Sequence, residues 1–143
     1  MDHAAPQDRV VAGLNAMNAG TLGERMEIEF LEASPERVVA RMPVKGNTQP
    51  YGLLHGGASV VLAETVGSIG AALHAGQDRI AVGLDINATH HRAARDGYVT
   101  GTATALSLGN TLASYDVTIT DEDGRRVCTS RITCLIRPKA PGA

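Results

Sequence analysis

At 143 residues the chain fits one domain and leaves no room for two, so a single domain over 1–143 is expected, with a helical N-terminal segment over 1–20 and a short tail over 138–143. A globule of this length buries roughly 68–70% of its extended surface, yet with no Trp, one Phe, three Tyr and 16 Gly its bulk has to come from Val, Ile, Leu and Met. The 13 basic and 15 acidic residues are mixed along the chain to a formal charge of −2, which argues against a nucleic-acid or anionic-membrane partner bound by bulk charge.

The start, Met1-Asp2-His3-Ala4-Ala5, has no basic stretch followed by an apolar one, so no secretory leader is visible and a cytoplasmic location is expected. From Asp8 to Met17, Val10, Val11, Leu14 and Met17 recur at helical spacing. A strand is expected over Glu24 to Phe30, where Met26, Ile28 and Phe30 alternate with acidic residues. A second follows over Arg37 to Val44, after a turn at Ser34-Pro35-Glu36. Residues 45–56 read as irregular.

A long helix is expected from about Gly57 to His74, and it is apolar almost all round: Ala58, Val60, Val61, Leu62, Ala63, Val66, Ile69, Ala71, Ala72 and Leu73. Such a helix is buried. The apolar run Ala58 to Leu73 falls short of a membrane span and carries Glu64 near its middle. Gly67 and Gly70 each cost up to ~1 kcal/mol of helix propensity, so something is expected to approach closely there. Four further strands are read over Ile80–Ala88, Val99–Ala105, Ala113–Thr120 and Arg125–Arg137, the last two joined by a turn at Asp121-Glu122-Asp123-Gly124. Cys128 and Cys134 share one strand, about 20 Å apart at ~3.4 Å per residue, too far to bridge, and read as buried free thiols. Six strands and one dominant helix after the second give an α+β domain in which a curved sheet wraps the helix.

Glu64 is the sharpest functional candidate. A carboxylate inside an otherwise apolar helix is expensive unless it is paired or has a task, and burial favours its action as a base or nucleophile near neutral pH. Ser68, four residues on, shares its face. The competing structural reading is that Glu64 pairs with an arginine of the sheet or lies on the one solvated stripe of the helix. At the helix entrance, His55-Gly56-Gly57 leaves backbone N–H groups bare at the positive end of the helix, suited to a developing oxyanion. The glycines also serve simply to turn the chain, and His55 also suits a cap. Gly56 and Glu64 are eight residues apart, about 12 Å along a helix, too far to touch one carbonyl. If both act on the same group, the entrance of one helix must meet the middle of the same helix in a second chain, which predicts a homodimer with composite sites.

After the third strand, Asn87-Ala88-Thr89-His90-His91-Arg92 carries two histidines that point to opposite faces of extended chain and make a poor metal pair. With Arg92 and Arg95 they suit either a phosphate-bearing ligand tail or a solvated loop. No phosphate loop, Cys/His cluster or Gly-x-Ser-x-Gly elbow is present, and no metal or cofactor is expected.

The stretch Gln49-Pro-Tyr-Gly-Leu-Leu-His-Gly-Gly-Ala-Ser-Val-Val-Leu-Ala-Glu-Thr-Val-Gly-Ser68 resembles the hotdog-fold acyl-CoA thioesterases. The resemblance is to the PaaI-like branch that holds the enterobactin proofreading, 1,4-dihydroxy-2-naphthoyl-CoA and Arthrobacter-type 4-hydroxybenzoyl-CoA thioesterases. It continues through Val82-Gly-Leu-Asp-Ile-Asn-Ala-Thr-His-His-Arg92 to Asp123-Gly-Arg-Arg-Val-Cys128. It implies a curved antiparallel sheet around a central helix, dimers assembled into homotetramers, and an aromatic acyl-CoA as substrate. On this resemblance the catalytic carboxylate falls on Glu64, the oxyanion glycine on Gly56, the thioester-positioning glutamine on Gln49 and the histidine before the glycine pair on His55. The orienting hydroxyl falls on Ser68, where the 4-hydroxybenzoyl enzyme has threonine, so the resemblance leans to the enterobactin and naphthoyl side. By analogy His90 and Arg92 contact the CoA tail. Two other activities suit the same fold: an enoyl-CoA hydratase or dehydratase, and a non-catalytic acyl-CoA binding protein.

Overall fold

In the computed structural model, which describes residues 5–142, the alternating segments pair into a single antiparallel sheet. Met1–Ala4, most of the stretch read for a leader, and Ala143, the end of the expected tail, lie outside the described residues. The elements are α1 (Pro6–Met17), α2 (Leu22–Arg25), β1 (Glu29–Ala33), β2 (Arg37–Pro43), α3 (Gly56–Ala75), β3 (Arg79–His90), β4 (Tyr98–Leu108), β5 (Leu112–Thr120) and β6 (Arg126–Pro138). The sheet order is β1-β2-β4-β5-β6-β3, so β3, which follows the helix, forms one edge.

Period-2 alternation sets the inner face. Ala113, Tyr115, Val117 and Ile119 of β5 and Cys128, Ile132 and Cys134 of β6 are fully buried. Against them α3 lays Ala58, Leu62, Ala63, Val66, Gly67, Gly70 and Ala71. The close approaches expected at its glycines are present. A Cβ on Gly67 would collide with Ile132 Cγ2, and one on Gly70 would lie 2.7 Å from the Tyr115 ring. Both cysteines are free and buried. This is the hotdog fold, a curved antiparallel sheet wrapped around a long helix.

Three expectations need correction. The strand read over Glu24 to Phe30 begins only at Glu29, because Leu22–Arg25 make one helical turn and Glu27 takes a left-handed φ of 58°. Asparagines, not a strand neighbour, satisfy the carbonyls here: Asn18 Nδ2 donates to Ile28 O (2.8 Å) and Asn47 Nδ2 to Met26 O (3.0 Å). Residues 45–55 are irregular, as expected, and are held by hydrogen bonds up to the start of α3 at Gly56. His55 N donates to Asn47 O (2.9 Å), Thr48 bridges Leu54, and Gln49 N donates to Leu53 O (2.9 Å), making a small hairpin with Tyr51 at its exposed tip. Helix α3, at 20 residues, is long and apolar enough by composition to cross a membrane, against the expectation that it falls short. The face it packs into the sheet is that of a core helix. That face is also only half of it: Val60, Val61, Glu64, Thr65, Ser68, Ile69 and Leu73 are half-buried and Ala72 is exposed. Within one chain the sheet does not enclose the helix.

Candidate active site

The first cluster forms where α3 begins. His55 is extended (φ −65°, ψ 131°) and caps the helix, its Nδ1 accepting from Gly57 N–H at 2.8 Å. Ala58 N–H donates to His55 O at 2.9 Å. Gly56 N–H is left with no acceptor among the described residues, at the end of the helix where the backbone dipoles are positive. The hairpin over residues 47–55 brings Gln49 alongside, its Oε1 held by Tyr51 N–H, and Leu54 N–H donates to Ala94 O (2.7 Å), tying the hairpin to the segment after β3.

At its far end β3 delivers His90 onto Gly56. A Cβ on Gly56 would lie 3.0 Å from His90 Nε2 and 3.3 Å from Cε1, so only glycine lets the ring settle without displacement. Gln49, Gly56, Ser59, His90 and Arg92 line one cavity of about 400 Å³. Arg92 also borders a neighbouring polar cavity of about 560 Å³ with Arg95 and Glu122. Neither Arg92 nor Arg95 has an ion-pair partner among the described residues, whereas Arg125 beside them is held by Asp121 (2.9 Å) and Asp123 (3.1 Å). His91 borders the same cavity, its Nε2 within 2.9 Å of Thr129 Oγ1. No group of three or more His, Cys, Asp or Glu among the described residues is placed to hold a metal ion.

The second cluster lies two turns further along α3. Glu64 is half-buried, with no ion-pair or hydrogen-bond partner among the described residues, so the arginine pairing considered from sequence does not form within one chain. Its carboxylate rests on Gly83 of β3, and Ser68 stands one turn on beside Cys134 of β6. Burial pushes the Cys134 thiol above its ordinary range, a hydrogen bond from Ser68 works against this, and the nearby Glu64 charge adds to it.

The structure thus gathers Gln49, Gly56, His90 and Arg92 at one end and Glu64 with Ser68 at the other, about 12 Å apart at 1.5 Å per residue. His55 belongs with neither. It borders a separate cavity with Met26, Asn47 and Val61. Sequence reasoning missed Gly83, Cys134 and Ser59. For Gly83 a signal existed, since a glycine inside an alternating strand marks a bulge or a close approach.

Comparison with known proteins bears on what the two clusters do. The profile of the thioesterase superfamily matches residues 51–128. The proofreading thioesterase EntH of Cronobacter turicensis is 44% identical over 124 residues, covering 86% of this chain and 90% of that protein. The 1,4-dihydroxy-2-naphthoyl-CoA hydrolase of Escherichia coli is 45% identical over 124 residues, covering 86% and 91%. Among solved structures, a mutant thioesterase from Pseudomonas aeruginosa superposes with a TM-score of 0.87 at 37% identity, covering 96% of this chain and 98% of its own.

Proposed function

Because this chain belongs to the thioesterase superfamily and is a thioester hydrolase of the acyl-CoA class, we propose that it acts on esters with a ring-bearing acyl group, of hydroxybenzoyl, dihydroxynaphthoyl or phenylacetyl type. Gly56 N–H polarises the thioester carbonyl, and Gln49 holds the group beside it. His55 acts indirectly, by occupying Gly57 N–H and fixing the helix entrance. Glu64 of the partner subunit supplies the carboxylate. As a base it takes a proton from water while the water oxygen adds to the carbonyl carbon; collapse of the tetrahedral adduct breaks the C–S bond and the proton goes to the CoA thiolate. As a nucleophile it displaces the thiolate to give an anhydride that water then opens. Single-turnover hydrolysis in oxygen-18 water distinguishes the two, since only the anhydride route places label in Glu64. Ser68 orients the water or acyl group, and His90 and Arg92 receive the CoA tail.

The observation that carries this reading is the division of the site. A backbone N–H and a carboxylate, each without a partner among the described residues, lie on one helix, too far apart to share a carbonyl. The half of α3 that bears Glu64 is left open by the sheet. The adjoining edge strand exposes Ile80, Val82 and Leu84, an edge that calls for cover. A two-fold dimer, paired again into a tetramer, closes both. A cytoplasmic location suits the two free thiols. The naphthoyl-CoA hydrolase among the relatives supports a ring.

Thiol release from benzoyl, dihydroxybenzoyl, dihydroxynaphthoyl, phenylacetyl and palmitoyl CoA esters tests the substrate class. Higher kcat/KM for palmitoyl-CoA, below its micelle concentration, overturns it. For the composite site, Glu64→Ala and Gly56→Val chains, each inactive alone, should recover roughly a quarter of wild-type turnover when refolded together, because each mixed dimer holds one intact site. No recovery places both groups in one protomer.

A further inference from the structure

We infer that Gly83, on the edge strand, is a positioning residue for the reaction: the absence of its side chain makes the seat in which the Glu64 carboxylate lies. This rests on the reading of Glu64 as the reacting carboxylate. A Cβ built on Gly83 would lie 2.6 Å from Glu64 Oε1, 3.5 Å from Cδ and 3.6 Å from Oε2, and those three nearest atoms are all Glu64. Contact at 2.6 Å is not tolerated, so one methyl group displaces the carboxylate.

Backbone conformation does not account for the glycine. The described glycines with positive φ are Gly20, Gly46, Gly52, Gly76, Gly97, Gly124 and Gly142. Gly83 is not among them, so an alanine could adopt its backbone without strain. What the position excludes is a side chain in that one direction.

Two neighbouring features converge on the same spot. The β3–β6 register shifts between Gly83 and Asp85, so that Gly83 pairs Cys134 while Asp85 pairs Thr133 and Leu84 is the extra residue. A bulge re-aims the strand and recurs beside active sites. On the other strand of the pair, Cys134 meets the Ser68 hydroxyl and feels the Glu64 charge. The rung Gly83–Cys134 is therefore the floor beneath the Glu64–Ser68 stripe: Gly83 gives the carboxylate room and Cys134 engages the hydroxyl.

The test is Gly83→Ala in two backgrounds, assayed with benzoyl-CoA. In the wild-type background we expect kcat to fall about 100-fold, the order of a 1 Å misplacement of a reacting group, with KM changed less than about threefold. In a Glu64→Ala background, where no carboxylate remains to be displaced, the same substitution should change the residual turnover less than about twofold. The acid limb of the kcat/KM profile should also move in the single variant, which a general loosening of the strand would not produce. Wild-type kcat in Gly83→Ala overturns the proposal, as does an equal proportional loss in both backgrounds. If Gly83→Ala alone is insoluble, solubility regained in Gly83→Ala/Glu64→Ala supports the proposal, and insolubility of both overturns it. Should Glu64→Ala itself keep near-normal turnover, it is the reading of Glu64 that falls, and the two failures are told apart.

Discussion

Helix α3 and strand β3 meet closely at two places, and at each a glycine on one element admits a side chain from the other. At the helix entrance the glycine is Gly56 and the side chain is His90; two turns on, the side chain is Glu64 and the glycine is Gly83. The two contacts are similar in geometry and opposite in what they present. Gly56 offers its own backbone N–H, so its lack of a side chain exposes a group on the glycine itself. Gly83 offers nothing of its own and makes room for its neighbour's carboxylate. A methyl group added at either position therefore acts by a different route, and the substitutions below separate them.

The largest effect belongs to Glu64. Glu64→Ala should lower kcat by about 10²–10⁴-fold, the span of a general acid–base group, while circular dichroism and the state of association remain as in the wild type, because the carboxylate has no partner to lose among the described residues. Near-normal turnover would remove the Glu64 contact from the chemistry and leave the comparison purely structural. Gly56→Ala comes next. It keeps the N–H but sets a Cβ 3.0 Å from His90 Nε2, and kcat should fall by about 10–100-fold as the entrance shifts. Adding His90→Ala should recover part of that loss. If it recovers none, His90 does not set the position of Gly56.

Much of this arrangement was legible in the sequence. Helix α3, its glycine pair and the lone carboxylate follow from apolar periodicity and the cost of a charge inside it, and the eight residues between Gly56 and Glu64 call for a second chain if both act on one carbonyl. The strand read over Glu24 to Phe30 was misplaced because the pattern Met26, Ile28, Phe30 is real while its partners are not a strand. Asn18 and Asn47, distant in sequence, satisfy the carbonyls of Ile28 and Met26, and no local pattern announces them. The hairpin over residues 47–55 was hidden for a related reason, its two short arms having no alternation long enough to read. Gly83 was passed over because Ile80, Val82, Leu84 and Ile86 look like uninterrupted alternation, although the bulge after Gly83 breaks the register. Half-burial of α3 was also invisible, since periodicity reports that a helix is apolar and not which molecule covers it.

A third prediction extends the Gly56 end outward. Arg92→Ala should raise KM for benzoyl-CoA about fivefold, or ~1 kcal/mol for one charge-assisted contact at an exposed position, with kcat nearly unchanged. The effect should shrink between low salt and 0.5 M salt as screening shortens the reach of the charge. With a short N-acetylcysteamine thioester, which has no phosphate, the variant and the wild type should match. Equal losses on both substrates would show that Arg92 supports the cavity wall instead of meeting the nucleotide.

The smallest effect is expected at His55, where the imidazole lies beside Gly56 in sequence but caps the helix in space. Its Nδ1 accepts from Gly57 N–H at 2.8 Å, a task that asparagine performs as well as any residue at an N-cap. His55→Asn should therefore hold the melting temperature within about 2 °C and kcat within about threefold, because the cap, and with it the availability of Gly56 N–H, is retained. His55→Ala removes the acceptor and should cost ~1 kcal/mol of stability, a drop of about 3–5 °C for a domain of this size. It should also lower kcat more than the asparagine variant does, since an uncapped first turn frays at the glycine whose N–H is needed. The pair of variants thus separates a cap from a reacting imidazole. If His55→Asn keeps the melting temperature yet loses more than about tenfold in kcat, the ring takes part in the reaction, and the helix entrance holds two functional groups rather than the single N–H of Gly56.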